Sequence, residues 1–207
     1  MRNSPMADQG CRAPNELRPG SSLRNIVDHY IAARRAASCE EIDRFRRAES
    51  LEAAVAMATA CTNERDKRHS HQRRIPGASL KAMHRKVSAL DLLRAKSFDD
   101  LHDAILNATD SIHMIGPLTV YDVATRIGAY LKLAPKHVYL HAGTRVGAKA
   151  LGLGAGSSRI EHGDLPPEFG RLTPAECEDV LCIYKDQIAQ ATRGRRTARK
   201  VSKSDSL

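Results

Sequence analysis

Ile112-His113-Met114-Ile115-Gly116-Pro117-Leu118-Thr119-Val120-Tyr121-Asp122-Val123-Ala124 is the stretch on which the fold turns. Before it, Ser97 stands as an N-cap in front of Phe98, Leu101, Ala104, Ile105 and Ala108, which recur at helical spacing. After it, Val120, Val123, Ala124, Ile127 and Leu131 form a second apolar stripe. Gly116-Pro117 separates the two, since glycine accommodates a tight turn and proline fits the first position of a new helix. The stretch therefore predicts two helices joined by a short hairpin.

The same signals extend outward. Ser22 caps a helix through Ile26, Val27, Tyr30 and Ile31, and the capping-box pattern Ser38-Cys39-Glu40-Glu41 predicts a long helix from Ile42 to Ala58. Thr62 to Gly77 is polar and reads as a basic loop, followed by a helix after Ser79. Beyond the break at Ala134-Pro135, a helical segment covers Ala142 to Leu151, and the glycine- and proline-rich stretch Gly152 to Gly170 reads as loop. Thr173, Pro174 and Glu176 supply N-cap, N1 and N3 of a final helix through Val180, Leu181, Tyr184 and Ile188. No strand hairpin is expected.

Composition agrees with a helical core. Of 207 residues, 42% are hydrophobic but only 4% aromatic, and tryptophan is absent, which argues against a large β sandwich or barrel. No apolar run approaches the roughly 20 residues needed to span a bilayer, and Met1 to Gly20 has no signal-like apolar core. The expectation is a cytoplasmic chain with no membrane partner. Five cysteines, an odd number without a Cys-x-x-Cys pair, fit reduced thiols.

The formal charge is +9, and its placement matters more than its size. Eight basic residues against one acid lie between Arg65 and Lys86, and six against one between Gln190 and Leu207, leaving the remainder slightly acidic. Two concentrated basic segments fit a phosphate-positioning surface, with solvated charge runs as the alternative.

The hairpin stretch resembles the helix-hairpin-helix element of the DNA glycosylase superfamily. Val138-Tyr139-Leu140-His141, Arg145-Val146 and Leu151-Gly152-Leu153 resemble a degenerate form of the segment that follows it, so the likeness runs from Phe98 to Leu153. It implies that Gly116 allows close approach to a DNA phosphate, and that the amides of Leu118 and Thr119 donate to it at a helix N-terminus. The departures are specific. Met114 replaces the first hairpin glycine, Leu118 replaces the lysine that forms a Schiff base in bifunctional members, and Tyr139 stands where many members carry an aspartate. The resemblance thus implies hydrolysis that stops at an abasic site, on damaged bases or on hypermodified phage cytosines, in repair or antiviral defence.

Breaking an N-glycosidic bond calls for a carboxylate near the sugar and a pocket for the flipped base. Asp122, one helical turn past Leu118, is the first candidate, with an i,i+4 ion pair to Arg126 as its alternative role. His141 and Tyr139 complete the expected catalytic set. Arg145 and Lys149 join Gln72, Arg73 and Arg74 of the basic loop as DNA contacts, with Gln72, His69 and His71 suited to the gap a flipped base leaves. Tyr121 and Glu161 are expected at the base pocket, with Asp164 nearby. Gly152 to Ser158 lacks the Gly-Lys-Ser/Thr ending of a phosphate loop, which argues against a nucleotide cofactor, and no residue spacing makes a metal site.

The expected fold is all-α: a compact multi-helix domain containing a helix-hairpin-helix element, with a flexible basic C-terminal tail. Residues 1–21 are expected as a flexible N-terminal segment, 22–191 as the helical glycosylase-like domain and 192–207 as the basic tail. A monomer that binds DNA and uses no cofactor follows from this reading. A non-enzymatic DNA-binding protein built on the same hairpin is its rival.

Overall fold

The computed structural model describes residues 17, 18, 20–63, 65, 67–69 and 72–193. His71 and the basic tail beyond residue 193 lie outside the described residues, as do the first 16 residues. The fold is mostly helical. In order come α1 (Leu23–Ala33), α2 (Arg35–Arg46), α3 (Leu51–Ala60), α4 (Gly77–Ser88), α5 (Phe98–Thr109), α6 (Pro117–Leu131), β1 (His137–Tyr139), α7 (Ala142–Ala150), β2 (Arg159–Glu161), α8 (Pro174–Ile183) and α9 (residues 185–193).

Local chemistry explains most of the boundaries. Ser22, Ser50, Ser97 and Thr173 each accept a backbone amide from the first turn of the helix they open. Thr173 and Glu176 form the reciprocal capping box, so Thr173→Ala should cost about 1 kcal/mol in chemical denaturation, most of it from α8. Helix α6 opens with Gly116 as N-cap and Pro117 at N1. It closes with Lys132 at φ 60°, where the Leu133 amide returns to the Gly128 carbonyl at 2.8 Å. A Cβ on Gly128 would lie 2.6 Å from the Leu133 carbonyl oxygen, so the return requires glycine.

Five local expectations are corrected. The long helix through Ala58 is two helices, with α2 ending at Arg46 and Ser50 capping α3. Ser38 lies inside α2, which already starts at Arg35, and its hydroxyl donates to Asp179 at 3.2 Å. Helix α4 starts at Gly77 behind Pro76, two residues before Ser79. Within the predicted loop, β2 pairs antiparallel with β1 in the register His137 with Glu161, Val138 with Ile160 and Tyr139 with Arg159. Three-residue strands are too short for a period-2 pattern to register in sequence. The final helix also bends at Tyr184, and the chain remains helical through residue 193, past the start of the expected tail.

Two apolar clusters form. The first joins α2 to α6 through Phe45, Met83, Leu101, Ile105, Val123 and Ile127. The second packs α1, the two-stranded sheet, α7 and α8 through Leu23, Ile26, Tyr30, Val138 and Leu181. Helices α7 and α8 approach closely because Gly143 and Gly147 face α8, where Cβ atoms would lie 2.6 Å from the Cys182 sulfur and 2.2 Å from the Leu181 carbonyl oxygen.

Candidate functional site

The hairpin between α5 and α6 turns through hydrogen bonds from the Ile112 amide to Thr109 and from the Ile115 amide to Ile112. Met114, in place of the glycine the resemblance would put there, adopts φ 62° and is 47% exposed. That left-handed conformation is strained for a side-chain-bearing residue. Met114→Gly is therefore expected to stabilise the fold by about 0.5–1 kcal/mol, read as a higher urea midpoint.

Gly116 is a different case. Its φ is −111°, and an added Cβ would meet no described atom within 4 Å, so neither conformation nor internal packing demands glycine there. No described side chain caps the N-terminus of α6, which leaves its first amides to an outside acceptor. Leu118 is half-buried and Thr119 buried, so among the expected contacts only their backbone amides suit a phosphate. The basic face of α4 adjoins this hairpin: the Lys86 ammonium reaches the Ser111 hydroxyl at 3.3 Å. Lys81, Arg85, Arg73 and Arg74 are exposed, whereas Arg68 donates to the Ile75 carbonyl at 2.5 Å and braces the loop.

One turn into α6, Asp122 opens into a pocket of about 190 Å³ between α2, α6 and α8, lined also by Ser38, Tyr121, Arg126, Glu178 and Asp179. The Gln72 amide donates to Asp122 at 2.8 Å from a fully buried position. Gln72 is thus a support for Asp122 and does not reach a DNA surface, correcting its expected role. Arg126 turns to Glu41 at 3.2 Å, and its second terminal nitrogen is buried with no hydrogen-bond partner among the described residues. Asp179 accepts the Tyr30 hydroxyl at 2.7 Å and the Ser38 hydroxyl at 3.2 Å. Burial, reinforced by the charge of Glu178, pushes Asp179 up to about 7. A carboxyl that exchanges its proton near neutrality, beside a second carboxylate, is a pairing suited to acid and base work.

His141 is buried at the N-cap of α7 and hydrogen-bonds Glu178, whose carboxylate also accepts the Thr144 hydroxyl at 2.7 Å. The fold thus brings Asp122, Tyr121 and, through Glu178, His141 together. It brings the ring of Tyr139 against Tyr121 but not its hydroxyl to the pocket, and it leaves Glu161 outside. Tyr139 is buried against Phe98, His102 and Tyr121, and its hydroxyl donates to Asp99 at 2.5 Å, in a second cluster with His137 and Arg159. Glu161 is exposed and pairs with His137 at 3.1 Å, and Asp164 is exposed as well. Tyr121 borders the pocket from within the aromatic cluster, so it is a wall and not an exposed stacking platform. Arg145 donates to the Ser157 and Leu140 carbonyls at 2.7 and 2.9 Å, tying the chain after α7 to the residue that follows β1; Lys149 remains exposed.

Glu178 and Asp179 were not among the sequence candidates. Their signal is two consecutive acids between Cys177 and Val180, inside the apolar stripe of a short helix, where a buried acid needs partners. Comparison of the chain with family models, curated proteins and solved structures gives no match. The functional reading therefore rests on the residues themselves.

Proposed function

We propose that the chain is a DNA glycosylase of the helix-hairpin-helix class that hydrolyses the N-glycosidic bond of a flipped modified or damaged base and leaves an abasic site. The observation that carries this reading is the spacing within α6: an N-terminus that no described side chain caps, behind an open Gly116, and one turn later Asp122 in the lining of a carboxylate-rich pocket. In this reading the hairpin amides and the basic face of α4 hold the phosphates, and Asp122 stabilises the sugar cation and takes a proton from the attacking water. Asp179 gives its proton to the departing base as the bond from C1′ breaks. No lysine stands at the hairpin position, so the reaction ends at hydrolysis.

A bulky base, such as a hypermodified phage cytosine, is favoured as substrate by the continuation of the pocket. A cleft of about 450 Å³ shares Ser38, Ile42, Thr125 and Ala175 with it. The test is incubation of the purified chain with unmodified, damaged and phage-modified DNA, with free base read by mass spectrometry and abasic sites by alkaline cleavage. Release from one class is expected; salt-sensitive binding without release from any class would transfer the chain to the non-enzymatic rival.

Gly116→Asp separates the hairpin's role in binding from its role in folding. Aspartate is a better N-cap than glycine, so stability should hold or rise by a few tenths of a kcal/mol. Its charge opposes a phosphate, and DNA affinity should fall about tenfold or more in a fluorescence titration, with Gly116→Asn as the uncharged control. Unchanged affinity of the Asp variant would remove the hairpin from the interface.

A further inference from the structure

We infer that His141, Glu178 and Cys182 form a binding site for a divalent cation of the zinc type, at the junction of α7 and α8. One ligand atom from each lies within 4.8 Å of the other two. Thirty-seven residues separate His141 from Glu178, so no sequence spacing announces the set, which arises only when α7 docks on α8. Glu178 and Cys182 stand one helical turn apart on α8 and face the same way, while His141 projects from the N-cap of α7.

Three features make this a built site rather than a chance meeting. His141 and Glu178 are 4% and 6% exposed, so the donors are held away from competing water. The Thr144 hydroxyl lies 2.7 Å from the Glu178 carboxylate and 2.8 Å from Nε2 of His141, so it fixes the carboxylate and the imidazole against one another on the side from which a metal would be held. Gly143 keeps room for the sulfur: a Cβ there would lie 2.6 Å from Cys182 Sγ and drive the thiol out of the cluster. The His141 to Glu178 hydrogen bond needs no thiol beside it, yet the helix opposite is hollowed to admit one.

The donor set decides the class of ion. One imidazole, one carboxylate and one thiolate match a borderline cation such as zinc and suit calcium or magnesium poorly. Three protein ligands leave a fourth position, and Glu178 also borders the 190 Å³ pocket, so an ion here adjoins the cavity into which Asp122 opens. Binding releases the thiol proton to solvent, moves the imidazole proton of His141 from Nε2 to Nδ1, and replaces the direct His141 to Glu178 contact with two bonds to the metal.

The site is tested without reference to DNA or to base release. The full chain, purified without a histidine tag and stripped of metal, is titrated with cobalt(II) as a spectroscopic stand-in for zinc. One equivalent is expected to produce a near-ultraviolet thiolate-to-cobalt band that Cys182→Ser abolishes, while Glu178→Gln and Gly143→Ala weaken binding at least about tenfold. Because a variant can fail to fold, zinc protection of Cys182 from alkylation is mapped by peptide mass spectrometry on the unaltered chain. Zinc should slow modification of Cys182 and leave the exposed Cys39 unaffected. Absence of the band in the folded chain, its persistence in Cys182→Ser, or equal alkylation rates with and without zinc would each overturn the assignment.

Discussion

Gly147→Ala is expected to destabilise the protein by about 3 kcal/mol, although alanine favours an exposed helix over glycine by about 1 kcal/mol. The sign is decided by what the new methyl group meets. A Cβ at position 147 would lie 2.2 Å from the Leu181 carbonyl oxygen, 2.9 Å from its carbonyl carbon and 3.0 Å from its Cα, and all three are backbone atoms of α8. No rotamer clears backbone, so the two helices must separate. Separation unpacks Val180, Leu181 and Ala148, all fully buried, and stretches the hydrogen bonds from His141 and Thr144 to Glu178. Overpacking of this kind costs about 1–3 kcal/mol, and weakening a buried polar network adds a comparable amount. Urea denaturation followed by circular dichroism measures the effect, with Gly163→Ala as the control, because a Cβ there meets no described atom within 4 Å. A Gly147→Ala midpoint equal to or above that of the parent chain would mean that α7 and α8 do not pack this closely.

The same contact shows why some of the fold was legible in sequence and some was not. Ser22, Ser97 and Thr173 were readable because a cap and the amide it receives lie within three residues. Gly116-Pro117 was readable for the same reason, as the start of α6. Ser38 misled: its capping pattern is locally sound, but α2 starts three residues earlier, and the hydroxyl donates instead to Asp179, 141 positions away. Gln72 misled similarly: a polar residue in a basic loop looks exposed, but Asp122 draws its amide fully inside. Glycines 143 and 147 lie four apart on one helix and went unread, because what they approach is fixed only by docking against α8. The candidate site divides along the same line. Asp122 was placed by its distance from the hairpin along one helix, whereas Glu178 and Asp179 enter from a helix more than fifty residues further on.

Asp122→Asn is expected to lower base release by roughly 10²- to 10⁴-fold while leaving DNA affinity close to that of the parent chain. Asparagine has the same shape, and its side-chain oxygen can still accept the Gln72 amide that Asp122 accepts at 2.8 Å, so the local support survives. The negative charge does not, and an amide neither stabilises a sugar cation nor takes a proton from water. DNA affinity rests in this reading on the hairpin amides and on exposed basic residues such as Arg85, which the substitution does not touch. Single-turnover release of free base, measured with DNA saturated by protein, isolates the chemical step from binding. A wild-type rate in the Asn variant would take Asp122 out of the mechanism. Suspicion would then pass to Asp179 and Glu178, which share the pocket with it, and not to Glu161 or Asp164, whose exposed positions lie outside it. A parallel loss of affinity and release would instead mean that Asp122 holds the shape of the interface, through Gln72 and the basic loop that carries it.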